Sequence, residues 1–556
     1  MIHISTSFAL LVVAIIILVC IAGSRLSGRL GVPTLFIFIM LGMLFGSDGI
    51  FKIPFGNFAL AEQVCSVALI FIMFYGGFGT RWSEAKPVAG RSILLSSVGV
   101  VLTALLTGLF CHLVLKMALM EGMLLGAVLG STDAASVFSI LRSRKLNLKY
   151  GTASMLELES GSNDPFAYMM TVILLSAMTG SVSGGSAVLL LIRQLAFGLL
   201  TGATVAWLVT WLLKRYAFYG EGFDTIFVFA AAIISYALAS QIGGNGYLSV
   251  YLTGIILGNQ ELKNQKALVG FFDAFTGMMQ MLLFFLLGLL AFPSQMPSIV
   301  LPAIAIALFL TFVARPAAVG LLLAPPIGQY LVISWAGLRG AASIVFAIMA
   351  TLSEGYMKYD IFHIVFCVVL FSIIFQGSLL PKVAEKCDMI DNSTDVMRTF
   401  SDYTGDMQIQ FVQLPIGDNH PWKNRKICEI EMLPGMLITV IRRGAQTIVP
   451  KGQTVIQEGD TVVLGAEGFT DSQGILLKEI LMTPDHRWCG KKIAEARFYK
   501  NTIIVMIKRG SQIIIPDGGT QILEGDRVVV YSQKLPQVEG RVKHESGPAV
   551  SAAVHK

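Results

Sequence analysis

Residues 159 to 165 read ESGSNDP inside a run otherwise suited to lipid, with GTASMLEL before it and FAYMMTVILLSAM after it. Glu157, Glu159, Asn163 and Asp164 therefore stand where holding one charged side chain costs about 3 kcal/mol, and each needs a chemical reason. A hard monovalent cation takes several oxygen ligands, and a carboxylate that holds either a proton or a cation makes the two compete for one place. Asp164 fits that role, with Ser160 four residues back on the same helix face and Thr132 of an earlier segment offering neutral oxygens. Glu159 and Asn163 form a second stripe one step around the helix. For Glu159 a structural role is preferred, as half of a buried ion pair with Arg315 in FVARPAAV. Serine hydrolysis, with Ser160 or Ser162 as nucleophile and His112 or His363 as base, is disfavoured, because no GxSxG-type turn surrounds either serine.

These residues need apolar elements to hold them at depth. Of 556 residues, 54% are hydrophobic and 14% charged, which excludes a soluble enzyme of this size and indicates a polytopic α-helical membrane protein. A window of about 20 residues finds thirteen candidate spans: 7 to 23, 32 to 48, 59 to 79, 92 to 115, 118 to 141, 151 to 179, 187 to 213, 224 to 241, 245 to 259, 267 to 292, 298 to 322, 330 to 353 and 360 to 381. The first has no basic flank before it and no AxA-type site after it, so it reads as a retained helix. An external N-terminus puts Arg25, Arg29, Arg81, Lys86, Arg91, Arg142, Arg144, Lys145, Lys149, Lys214, Arg215, Lys263 and Lys266 in cytoplasmic loops. Only Lys52, Lys116, Arg193 and Lys358 remain outside, a clear positive-inside bias that also sends the C-terminus to the cytoplasm. The net charge of +6 is read through this distribution, with no nucleic-acid partner expected. Seven singly scattered cysteines suggest neither a metal site nor a disulfide framework. With the sixth span starting near Gly151 on the cytoplasmic side, Glu159 lies roughly 12 Å and Asp164 roughly 20 Å into the membrane.

Two spans are interrupted. GSTDAAS (130 to 136) breaks the fifth and GLRGAAS (337 to 343) the twelfth, each the fifth member of a six-span unit, and the two units enter the membrane from opposite sides. Paired broken segments in inverted repeats point to a transporter's binding site. Asp133 in one break can offset exposed N–H ends and Arg339 in the other exposed carbonyl ends, with Asp133 also able to act behind the first ligands.

From about Ser401 the chain is soluble in character and repeats itself. Trp422, Ile427, Glu429, Arg443-Gly444, Pro450 and Glu458-Gly459-Asp460 recur 66 residues later as Trp488, Ile493, Glu495, Arg509-Gly510, Pro516 and Glu524-Gly525-Asp526. Period-2 stretches such as MQIQFVQL indicate two copies of one small α+β unit.

The TD of the fifth span, ESxxND of the sixth, Arg315 of the eleventh and LRGA of the twelfth resemble the cation:proton antiporter-1 family of NhaP/NHE type, over residues 1 to 385. The resemblance implies a thirteen-helix inverted-repeat fold with broken helices, usually dimeric, in which a core bundle moves against a scaffold. It implies that Asp164 is the cation and proton site, that Thr132 and Asp133 line the crossing, and that Glu159 pairs with Arg315. Asn163 in place of a second Asp implies electroneutral one-for-one exchange. FIMFYGGFG offers Tyr75 where some archaeal members carry an acid near the end of the third span. After a linker at 386 to 402, residues 403 to 470 resemble the C-terminal half of an RCK (TrkA-C) domain, and 486 to 533 a degenerate second copy. No GxGxxG follows a soluble strand here, so the nucleotide-binding half is absent, and a small-molecule or nucleotide ligand on the tail stays open. A transporter with such a tail resembles bacterial inner-membrane K+/H+ antiporters of cell-volume and K+ control. K+ is therefore expected ahead of Na+ or Li+, with a tail-gated cation channel as the further alternative.

Overall fold

The computed structural model describes residues 6 to 391 and 409 to 532, apart from gaps at 31–32, 144–145, 182–183, 216–221, 261, 263–264, 354–356, 419, 431, 433–435, 445, 468–476, 497–501, 511 and 515. Arg144, Lys145 and Lys263 of the loop cations, and 392 to 402 of the expected linker, lie outside the described residues. The chain divides into two compact units, Met1–Asp406 and Met407–Lys556.

The first unit is helical throughout. Its elements are α1 (Thr6–Leu30), α2 (Thr34–Phe45), α3 (Phe58–Gly79), the single turn α4 (Trp82–Ala85), α5 (Ala89–Leu113), α6 (Leu119–Val128), α7 (Ala134–Ser143), α8 (Thr152–Met178) and α9 (Gly184–Arg215). There follow α10 (Phe223–Gln241), α11 (Gly246–Gly258), α12 (Gln265–Leu290), α13 (Met296–Phe309), α14 (Arg315–Leu323), α15 (Ile327–Trp335), α16 (Ala341–Leu352), α17 (Ile361–Phe371) and α18 (Gly377–Lys386). Each expected span coincides with one helix or one pair: α6 with α7 form the fifth and α15 with α16 the twelfth, both broken, while α13 with α14 form the eleventh and α17 with α18 the thirteenth. Among the described residues seven helical runs are long and apolar enough by themselves to cross a membrane. The 27-residue α8 has the length, and carries Glu157, Glu159 and Asp164 within it.

Local chemistry sets where these helices begin and bend. Asn57 and Asn245 cap α3 and α11, each accepting the N–H three residues on at 3.0 Å. Asn245 also donates to the Pro165 carbonyl at 2.9 Å, tying α11 to the middle of α8. Short π-helical turns, Leu310–Ala314 and Ser372–Gln376, join α13 to α14 and α17 to α18. Pro316 has no N–H for the carbonyl four residues earlier, and the chain widens by one such turn just before it. Large buried aromatics, among them Phe71, Phe74, Phe272, Phe284, Phe346 and Phe362, fill the interior, while α9 turns Leu189, Ile192, Leu200 and Trp207 outward, as a lipid-facing helix does.

Residues 387 to 391, expected as linker, are instead held against the first unit. Lys149 N donates to the Met389 carbonyl and Asp391 N to the Asn147 carbonyl, both at 2.9 Å, and Leu148 bridges Ile390.

The second unit holds two four-stranded antiparallel sheets. The first has β1 (Ile409–Pro415), β2 (Met436–Arg443), β3 (Gln446–Ile448) and β4 (Asp460–Glu467) in the order β1-β4-β2-β3. The second has β5 (Leu477–Leu481), β6 (Thr502–Arg509), β7 (Gln512–Ile514) and β8 (Arg527–Ser532) in the order β5-β8-β6-β7. The register shifts at Ile438/Val440 in one and at Ile504/Met506 in the other, 66 residues apart. Arg443 forks onto Asp460 at 2.8 and 2.9 Å, and Arg509 onto Asp526 at 2.8 Å twice. That guanidinium holds each buried aspartate below the usual carboxylate range. Among the described residues the second copy repeats the strand order of the first, and its edge strand β5 precedes residue 486, the expected start. Helical structure in the first sheet's unit is limited, among the described residues, to the 3-10 turn Ile427–Glu429.

Candidate functional site

The two breaks meet. Between α6 and α7, residues Gly130 to Asp133 leave the helix, and Asp133 N donates to the Leu338 carbonyl of the other break at 2.8 Å. Asp133 then caps α7, accepting from Ser136 N at 3.2 Å and Ser136 Oγ at 2.5 Å. A β-carbon on Gly340 would lie 2.4 Å from the Asp133 β-carbon, so only glycine permits this crossing. Arg339 reaches across to the carbonyl side: its Nη1 donates to the Ser131 carbonyl at 3.0 Å, and its backbone N–H to Ser372 Oγ at 3.0 Å. The exposed ends of the fifth span thus receive a carboxylate at the N–H end and a guanidinium at the carbonyl end.

Helix α8 runs past this crossing and bonds to it through Ser160, Asn163 and Asp164. Ser160 Oγ donates to the Thr132 carbonyl at 2.7 Å. Asn163 Nδ2 donates to Thr132 Oγ1 at 2.5 Å, and Asn163 Oδ1 accepts from Thr132 N at 3.3 Å. Asp164 accepts a hydrogen bond from Ser131 Oγ. Pro165 supplies no N–H to the Gly161 carbonyl, which frees a neutral oxygen one turn before Asp164. Ser131, Thr132, Asp133, Ser160, Gly161 and Asp164 all line one cavity of about 470 Å³, walled further by α3, α11, α12 and the start of α16. The Asp164 carboxylate with several neutral oxygens beside it at a cavity wall is what a proton or a partly dehydrated monovalent cation requires.

Glu159 points elsewhere. Arg315 Nη1 and Nη2 donate to its two oxygens at 2.5 and 2.7 Å, with both side chains buried. Arg315 and Arg339 line a separate small cavity, bordered by Thr311 of one π-turn and by Ser372 and Gln376 of the other. The widened turns supply the polar groups that this pair of guanidiniums faces. Both candidate histidines are committed away from the serines: His112 Nδ1 bonds the Met117 carbonyl at 2.9 Å, and His363 holds Asp360 at 2.6 Å and Phe292 N at 3.1 Å.

Several residues at the cavity were not singled out from the sequence. Ser131 adjoins the TD pair, and its type alone does not distinguish it from the other serines of these segments. Tyr251 of α11 and Asp273 and Thr276 of α12 have no local signal, because tertiary packing alone brings them to the wall. Tyr75, near the end of α3, donates through its hydroxyl to Asp273 at 3.0 Å.

Residues 14–386 match the family described as "Sodium/hydrogen exchanger, transmembrane", and 411–467 and 477–534 each match the TrkA-C domain. The chain is similar to the K(+)/H(+) antiporter NhaP of Alkalimonas amylolytica, 36% identical over 382 residues that cover 68% of this chain and 66% of that protein. It is 33% identical to the K(+)/H(+) antiporter NhaP2 of Shewanella sp. (strain MR-4), over 82% of this chain and 81% of that one. The Na(+)/H(+) antiporter ApNhaP of Aphanothece halophytica is 24% identical over 61% of this chain and 67% of its own length. In fold it is similar to the sodium proton antiporter MjNhaP1 from Methanocaldococcus jannaschii, with a TM-score of 0.60 and 22% identity over 68% of this chain and 99% of that one. A match over this much of the membrane unit, on a fold with two crossed helix breaks, makes the chain a member of the sodium/hydrogen exchanger transmembrane family.

Proposed function

We propose that the protein exchanges K+ for H+, one for one, across the bacterial inner membrane. The observation that carries this reading is Asp164: a carboxylate held by Ser131 at the crossing of two helix breaks, facing a cavity, with the neutral Asn163 beside it. A carboxylate that binds either ion carries one positive charge in each direction. The empty, charged site is expensive to move through lipid, so the two ions travel alternately. Glu159 and Arg315 form a structural pair, while Asp133 and Arg339 compensate the broken-helix ends. Thr132 orients Ser160 and Asn163, and the deprotonated Asp164 with nearby neutral oxygens holds the cation.

The choice of K+ rests on the printed names of two relatives 36% and 33% identical to this chain, and Na+ or Li+ is the second reading. In this proposal the N-terminus lies outside and the tail in the cytoplasm. Two copies associate through the membrane scaffold and tail, and the TrkA-C-like units regulate exchange, with a small-molecule or nucleotide ligand as the candidate signal.

The test is everted vesicles holding an imposed proton gradient, challenged separately with K+, Na+, Rb+ and Li+. K+ and Rb+ should dissipate the gradient at the lowest concentrations, with no need for a membrane potential. Dissipation by Na+ and Li+ alone would move the proposal to the second reading. Cation flux indifferent to the proton gradient would place the protein among channels.

A further inference from the structure

The cavity at Asp164 contains a second set of oxygen groups that the exchange cycle above does not use. Glu157 lies seven residues before Asp164 on α8, two turns or about 10 Å along the axis, and lines the same cavity. Between them Tyr251 of α11 lies across Gly161, where an added β-carbon would stand 2.4 Å from the Tyr251 hydroxyl. That hydroxyl is buried and completes no hydrogen bond within the chain. A second cavity-lining hydroxyl, Thr276 Oγ1 of α12, is likewise buried without a partner.

Buried hydroxyls without partners are rare because each costs the desolvation of a polar group. At a cavity wall shared with a carboxylate, such groups are supplied with a partner by whatever occupies the cavity. A neutral water would satisfy the hydroxyls alone. Glu157, placed in the membrane at its own cost, adds the negative charge that favours a cation.

Resting on the exchange reading above, we propose that Glu157 and the Tyr251 hydroxyl form a second cation station, which takes the partly dehydrated monovalent cation before it reaches Asp164. In the proposed orientation this station faces the cytoplasmic end of α8. Its effect is on how readily the cation is captured, whereas Asp164 decides whether exchange happens at all.

The experiment uses the full-length protein in proteoliposomes, with K+ varied at fixed pH. In Glu157→Gln the K+ concentration for half-maximal exchange should rise about tenfold, the loss of one charge interaction at the station, while the maximal rate at saturating K+ stays within about twofold. Tyr251→Phe should raise it by about threefold, the loss of one hydroxyl ligand, and Glu157→Asp should restore most of the affinity. Rb+ binding to the purified protein provides an independent readout: Asp164→Asn should retain a weaker Rb+ site that Asp164→Asn with Glu157→Gln lacks. Unchanged half-saturation in Glu157→Gln, or a fall in maximal rate alone, overturns the station while leaving the exchange reading standing. A wild-type protein that exchanges no cation overturns both.

Discussion

Replacing Asp164 by asparagine is expected to abolish exchange and leave the protein folded. Asparagine matches the aspartate in shape and retains an oxygen for Ser131 Oγ, so the contact with the fifth-span break survives. What disappears is the negative charge. The neighbouring oxygens of Ser160, Thr132 and Asn163 are neutral and stay in place, with Ser160 donating to Thr132 and Asn163 bonding Thr132 twice. At position 164 a cation then finds only a neutral amide, and the proton no base to bind there. A loss of at least about 100-fold in exchange is expected, since more than 3 kcal/mol of charge interaction is removed. The assay is cation-driven dissipation of a proton gradient by wild-type and variant protein matched for amount, with thermal melting of the purified variant as the control for folding. A variant that exchanges at half the wild-type rate or more removes Asp164 from the centre of the account.

Arg315→Ala fails for a different reason. Its guanidinium is the fork that both Glu159 oxygens accept, and the two side chains are buried together between α8 and α14. Removing it strands a charged carboxylate in the protein interior, a change that costs about 3–5 kcal/mol, comparable to a large part of a domain's stability. The expected result is little folded protein in the membrane and a lowered melting temperature for what is recovered. Because a buried pair is often no better than apolar residues of similar size, Glu159→Leu with Arg315→Met should recover much of the lost folding. Full stability of Arg315→Ala alone, with activity lost, would instead assign Arg315 to the transport step.

The sequence disclosed what an apolar background makes conspicuous. Asp164, Glu159, Arg315 and Arg339 stand out because any charge in a spanning segment needs a partner or a task. Helix breaks were visible as glycine and serine within apolar runs, and the paired TD and LRG fixed which segments cross. The tail repeat was legible because every marker recurs at one spacing, and the duplicated bulge and Arg–Asp fork follow from it. Its first strand in each copy carries no such markers, which is why β5 falls ahead of the expected boundary. Tyr251, Thr276 and Asp273 come to the cavity from α11 and α12, about a hundred residues beyond α8, through packing that no local pattern encodes. The π-turns escape for a related reason: proline signals a disturbed helix but not which polar groups the widened turn will present.

The claim that one carboxylate serves both ions has a direct measurement. K+ is titrated calorimetrically into purified protein at successive pH values, in buffers of different ionisation enthalpy, so that protons released on binding are counted. At pH values where the site is protonated, binding of each K+ should release close to one proton, with the apparent affinity falling as pH falls, and Asp164→Asn should show neither. Binding of K+ with the same affinity at every pH and no proton release would contradict the account, because the two ions would then not share Asp164.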